Sequence, residues 1–470
     1  MNGFKKWLFT GEVNHLAGIP WTTVVKWFLA VSVVYALGSV FVSIPFRPQI
    51  DHEVDYRNIF YLHGLLVGLA SFTVLISAEV YSMAGWVRRS ALGGMVLAVF
   101  FVMLGGIFNT GIEHYWWLRV QVLGFFSLDY VLICLILGFI KTKNQELRNS
   151  LTYWVGLLSA CSALIAVLIG DLVGYALEFG DLPFDILHRW ANFLNEPYET
   201  LFSDLVTSHS HQMVVAVLAM VIAMVSWKYG RQLTGVSAKI KKLGEYFVLC
   251  GTIIMTFMYE IEGFGGPTMQ SPVYFLDPKS AVAGPGPSGL VLVDAVTGIG
   301  VMIGGLIIIG AIYLGKNAGV KTSQDVEKTI RTVFYIWLFL VAMMPGMGYF
   351  IELNSLAYKQ ALEIAGISYG FVHQDIGFFL YPALVVLVVF IQHLLPEKPL
   401  FQVNRLILIG TALTFAGMML YVMLKPDYYG PGFYVIGGGF AFILIGILIF
   451  FKKGNFSENP HPQLDINNKL

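Results

Sequence analysis

The sequence predicts an all-α integral membrane protein of twelve transmembrane helices in three pseudo-symmetric four-helix arcs. Three observations predict it: an apolar composition, a succession of long hydrophobic runs, and basic residues confined to alternate loops. Of 470 residues, 57% are hydrophobic and 12% are charged, where soluble chains carry about a quarter charged residues. The mean hydropathy of +0.71 leaves too little polar surface for a water-exposed protein of this size. Lysines and arginines number 29 and acids 29, so no positive excess marks a nucleic-acid partner. Cys134, Cys161 and Cys250 lie in apolar runs without a CxxC or CxxCH pattern. Disulfide scaffolds, thiol redox motifs and covalently attached c-type heme are therefore disfavoured.

A spanning helix takes about 20 apolar residues. That criterion predicts spans over 22–44, 58–84, 90–111, 119–140, 151–177, 203–227, 244–263, 290–314, 331–352, 368–394, 405–424 and 431–451. The connections 85–89, 113–118 and 141–150 are short, which makes their flanking helices antiparallel neighbours. The first run is too long, and too close to further runs, to read as a cleaved signal peptide. The Pro/Gly-rich stretch 263–289 reads as an ordered loop because Tyr274 and Phe275 sit among its turn residues. The chain thus divides into an N-terminal segment 1–21, a membrane domain 22–451 and a tail 452–470.

Basic residues set the orientation. With the N-terminus inside, 22 of the 29 lysines and arginines fall in inner loops or tails and 7 outside. The outer loops hold most acids, among them Asp51, Glu53, Asp55, Asp181, Asp185, Glu196 and Glu199. A miscounted helix would invert half the loops and erase this bias. The expectation is a multi-pass protein of a cytoplasmic (inner) membrane with both termini cytoplasmic.

Seven of the ten histidines then lie at or just inside the outer surface. Four occur in the first turns of inward-running spans: His63 in the second, His209 and His211 in the sixth, and His373 in the tenth. Ionisable groups are costly in hydrocarbon and there face a partner, a cavity or a metal. The intervals from His63 to His209 and from His209 to His373 each contain four spans. YLHGLLVGLASF, SHSHQMVVAVLAM and FVHQDIGFFLYPALV each place histidine at the mouth of a helix, a weak repeat by identity but a specific one by placement. Neutral imidazole ligates iron, copper and zinc alike, and two such ligands on facing helices would bracket a porphyrin. A shallow histidine also hydrogen-bonds a carbonyl or reaches interfacial water. In a regular helix, His209 and His211 point about 200° apart, which argues against a compact zinc clip and leaves two centres, or a ligand and a propionate contact.

Twelve spans in three arcs, with these histidines near the outer ends of the second, sixth and tenth, resemble the catalytic subunit of the heme–copper oxidase and nitric oxide reductase superfamily. The resemblance covers about residues 22–451 and rests on architecture and few residues. It implies a low-spin heme b with His63 and His373 as axial ligands, and a non-heme metal at His209 or His211. It places Arg57 and Arg119 to meet heme propionates; either arginine is equally an interfacial anchor. The chain departs from the pattern in two places. No histidine occurs between His211 and His373, where the family has a His–His pair on the seventh span, and Asp375 stands where a second histidine of the tenth span is usual. The resemblance therefore implies one heme, with a second only if His209 or His211 ligates it, and no complete oxygen-reducing centre. Its electron partner would be a quinol or a periplasmic electron-transfer protein, with room for further subunits and a link to nitrogen-oxide metabolism.

Glu79, Asp129, Asp171 and Asp294 fall inside spans, as a proton path, an ion site or helix–helix hydrogen bonds. Glu260 and Glu262 offer oxygen ligands at the mouth of the seventh span, and Met343, Met344 and Met347 offer thioethers near the ninth. The HYWWLR run after Glu113 reads first as an interfacial aromatic belt. A secondary transporter is the rival class, with Gly/Pro interruptions at 298–310 and at Pro345–Gly346. Transporter sites sit near the midplane, whereas these histidines lie shallow and on one side. A metal-handling accessory protein using His209 and His211 is the third expectation.

Overall fold

The computed structural model describes residues 53–109, 116–179, 184–265, 288–315 and 430–453, with individual helical residues between 330 and 341 and between 405 and 417. All regular structure among the described residues is helical. In chain order the helices are α1 (Glu53–Val80), α2 (Gly85–Asn109), α3 (Trp116–Ile140), α4 (Gln145–Arg148), α5 (Leu151–Phe179), α6 (Ile186–Leu194), α7 (Tyr198–Gly230), α8 (Gly235–Gly265), α9 (Ser288–Gly315) and α10 (Gly430–Lys453). Each long helix coincides with one predicted span. The first and tenth predicted spans, and with them His373 and Asp375, lie outside the described residues.

Four helices among the described residues are long and apolar enough to cross a bilayer, over Gly85–Gly105, Arg119–Ile140, Leu151–Ala176 and Gln212–Gly230. The protein is thus an all-helical membrane protein in a lipid bilayer. Helix is the form the sequence must take there, since hydrocarbon offers no partner for an open backbone N–H or C=O. Large side chains exposed on the bundle, such as Phe100 on α2, Phe126 on α3 and Leu168 on α5, suit a lipid surface.

Short turns make the long helices antiparallel. Between α1 and α2, Ser82 takes a left-handed conformation (φ 51°), and the Met83 N–H closes on the Ala78 carbonyl at 2.9 Å. Between α3 and α5, the one-turn α4 is capped by Asn144, whose Oδ1 accepts from the Leu147 N–H at 3.1 Å. Between α7 and α8 the chain reverses through Gly235 at φ 61°, a conformation that suits glycine. All three turns meet at one end of the bundle. There the Tyr81 ring lies 5.2 Å from Phe139 and 6.4 Å from Trp227, and Phe139 lies 5.7 Å from Tyr153. The same turns carry Arg88, Arg89, Lys141, Lys143, Arg148, Lys228 and Arg231, so this end is basic.

Helices α8 and α9 cross at close backbone approach. A Cβ on Gly304 would sit 2.8 Å from the Gly244 carbonyl and 2.9 Å from the Val248 nitrogen, and one on Gly244 would sit 2.8 Å from the Gly304 carbonyl. Small residues replace a hydrophobic driving force between helices in lipid, because only close backbone approach gains dispersion there. Helix α7 is the centre of the fold. It packs on α1, α5, α8 and α9, and 89% of its span is buried, against 44% to 50% for the spans in α2, α3 and α5.

Candidate functional site

Of the four candidate ligand histidines, the one whose side chain the structure describes is His209, toward the end of α7 remote from the basic turns. Its Nδ1 lies 2.6 Å from the carbonyl oxygen of Ala166 on α5. A carbonyl carries no proton, so Nδ1 is the donor and the neutral ring keeps its lone pair on Nε2. Gly170, one turn along α5, makes the room. A Cβ there would meet Cε1 first, and would lie 2.6 Å from Nδ1 and 2.8 Å from Nε2. A core histidine makes such a carbonyl bond, and so does a ligating histidine with its non-ligating nitrogen, where the bond fixes tautomer and ring orientation.

The same α5–α7 seam holds further polar groups. Gln212, fully buried, donates from Nε2 to the Ser162 hydroxyl at 3.0 Å. Ser159 and Ser208 are also fully buried. Next to the seam, the carboxyl groups of Asp129 of α3 and Asp171 of α5 lie beside each other. Each keeps one buried oxygen, Oδ1 of Asp129 and Oδ2 of Asp171, without a further partner.

The other predicted site residues distribute as follows. His63 and Arg57 lie on α1, which packs on α7, and His211 lies on α7 two residues beyond His209; their side chains are outside the described residues, as are those of Glu260, Glu262 and Asp294. Arg119 is exposed in the first turn of α3. Glu79 does not point into a path: it pairs with Arg88 across the α1–α2 turn at 3.3 Å. Among the described residues, no group of three or more His, Cys, Asp or Glu is assembled that would hold a metal ion.

Sequence reading missed a second polar knot, at the basic end. Glu245 of α8 is 4% exposed. Its Oε1 accepts from the hydroxyls of Thr152 on α5 at 2.5 Å and Ser226 on α7 at 2.6 Å, and pairs with the Lys241 ammonium at 3.2 Å. A buried carboxylate is tolerable only with such full compensation. The Tyr81 ring sits beside it, its hydroxyl buried without a hydrogen-bond partner. Burial, and secondarily the Glu245 charge, push the Tyr81 phenol well above its ordinary value of 10.0. The available signal was the i,i+4 pair Lys241–Glu245 at the start of an apolar run, which reads as a solvated helix end until α5 and α7 are known to cover it.

Comparison with protein-family models, with curated proteins and with solved structures finds no match to this chain.

Proposed function

We propose that this chain is a heme-binding membrane cytochrome of a respiratory electron-transfer pathway, built from twelve spans in three four-helix arcs on an oxidase-like scaffold. In this reading the basic end is cytoplasmic, since basic loops stay on that side. The opposite end then carries His63, His209, His211 and His373. A b-type heme would be held by His63 and His373, with Arg57 and Arg119 at its propionates, and would supply a one-electron couple. The donor or acceptor would be a quinol or a periplasmic protein. The observation that carries the reading is His209: a histidine set into the interface of two membrane helices, its ring oriented by the Ala166 carbonyl. The span of its helix is 89% buried, so a group held against it would be shielded from lipid. The missing histidines on the seventh and tenth spans argue against oxygen reduction.

The test is a reduced-minus-oxidised optical spectrum of the purified protein, with pyridine hemochrome quantification. One b-type heme per chain, lost in His63→Ala and in His373→Ala, is the expected result. Two hemes would bring His209 and His211 forward as ligands. A protein that stays colourless when heme is supplied refutes the reading. The neighbouring carboxyl groups of Asp129 and Asp171, lying in two spans, favour a proton-coupled secondary transporter as the second reading. Substrate uptake lost in Asp129→Asn, by colourless protein, would establish that one.

A further inference from the structure

Helix α6 stands apart from the spans. It joins α5 to α7, and its nine residues divide into three sectors at about 100° per residue. Leu187 and Ala191 are 1% exposed and pack with Ile169, Val173 and Ala176 of α5 and Leu201 and Leu205 of α7. His188, Arg189 and Asn192 form a polar sector, with His188 stacked on Tyr198 at 3.8 Å. Ile186, Trp190 and Phe193 form the third sector, 48%, 39% and 76% exposed, with Phe184 just before them at 60%. Trp190 and Phe193 stack at 5.3 Å. The helix ends firmly: Asn195 is left-handed, the Glu196 N–H bonds the Ala191 carbonyl at 2.9 Å, and Pro197 follows. A Schellman closure of this kind fixes where the exposed aromatics point.

What covers that face follows from its depth. The α5 residues under α6, Ile169 to Ala176, are the last two turns of the span Leu151–Ala176. That span has 26 residues, or about 39 Å at about 1.5 Å per residue, against a hydrocarbon core of about 30 Å. Counted from the basic end, residues 169–176 reach the level where acyl chains give way to headgroups. An apolar face at that level meets lipid, and a neighbouring sector with arginine and asparagine meets headgroups and water.

We propose that α6 is an interfacial helix that seats Phe184, Ile186, Trp190 and Phe193 in the lipid of the leaflet opposite the basic end, with Arg189 and Asn192 turned to the headgroup region. The occupant is a phospholipid surface, not a soluble protein and not a second copy of this chain. The device is an amphipathic helix with an aromatic anchor, tying the α5–α7 connection above His209 to the membrane. It is independent of whether heme is bound.

The experiment uses the full chain in phosphatidylcholine vesicles. Cysteine is introduced as Phe193→Cys, Trp190→Cys or Asn192→Cys and treated with a charged maleimide, the parent chain giving the background from its own cysteines. The first two should react slower than Asn192→Cys by about tenfold or more, because the reactive thiolate is disfavoured in apolar surroundings. In parallel, brominated lipid should quench the parent chain more than Trp190→Phe, the difference reporting Trp190. Equal reaction at positions 192 and 193 overturns the proposal, since the face is then in water. Protection without lipid quenching also overturns it, since protein then covers the face.

Discussion

Gly170→Ala tests the packing of His209 directly. The added methyl would sit 2.6 Å from Nδ1 and 2.8 Å from Nε2 of His209, well inside van der Waals contact. The ring must swing away from α5 to make room, and His209 then loses its 2.6 Å bond to Ala166. Overpacking of this size costs about 1–3 kcal/mol, and the stranded imidazole N–H about 1–3 kcal/mol more. Alanine returns about 1 kcal/mol through its higher helix propensity. The net destabilisation is about 1–5 kcal/mol, roughly one to three and a half powers of ten in the unfolding equilibrium at about 1.4 kcal/mol each. The control is Gly174→Ala, one turn further along α5, where a Cβ meets nothing within 4 Å; only the propensity gain applies, so that variant should be slightly more stable than the parent. Both are measured by reversible unfolding in mixed detergent micelles. Equal stability of the two variants would mean that His209 does not lie against Gly170, and the seam as described would be wrong.

Three further outcomes follow from the same interfaces. Glu245→Ala leaves the Lys241 ammonium and two buried hydroxyls without their acceptor and should cost about 3–5 kcal/mol in the same unfolding assay, with Glu245→Gln costing less because the amide oxygen still accepts. Gly304→Ala drives a methyl to 2.8 Å from the Gly244 carbonyl and should cost about 1–3 kcal/mol, read as a lowered unfolding midpoint. Tyr81→Phe removes a buried hydroxyl with no partner and should stabilise by about 1 kcal/mol. Because folding raises the Tyr81 phenol above 10.0, its contribution is fully present below that pH. Above it, ionisation of the unfolded chain draws stability away from the parent but not from a chain with phenylalanine there, so the stability advantage of Tyr81→Phe should grow above about pH 10 and stay constant between pH 6 and 9 if Tyr81 is the group.

The helices were legible because hydrocarbon enforces them: long apolar runs such as 151–177 and 203–227 appear as α5 and α7 almost residue for residue. Turn positions were legible too, since KTKNQELRNS and KYGRQLTG concentrate charge and turn formers between apolar runs. Partnerships were not. Asp129 and Asp171 stand 42 positions apart, and nothing local says that their carboxyl groups meet. Glu79 reads as a membrane-embedded acid until the α1–α2 turn brings Arg88 to it. Gly170 carries no side chain to read, yet it decides where His209 sits. Helix α6 was overlooked because nine residues cannot span and its apolar positions look like the tail of the fifth span.

Periodicity gives the last step. A helix with one apolar stripe faces a core on one side and water or lipid on the other. Helix α7 has no such stripe, and its span is apolar on every side and 89% buried, which in a membrane protein means protein on every side. Polar residues on it therefore cannot turn to lipid or water and must find partners within the bundle. Ser226 finds Glu245, Gln212 finds Ser162, and His209 finds Ala166. The turns that precede this span carry SHSH, the densest set of such residues in the helix, at the end remote from the basic turns. Structural need alone is met by hydroxyl pairs like Ser226 with Glu245. Two imidazoles in three positions at one end of this helix exceed that need, and this excess, more than any single contact, is why the proposed cofactor site is placed there.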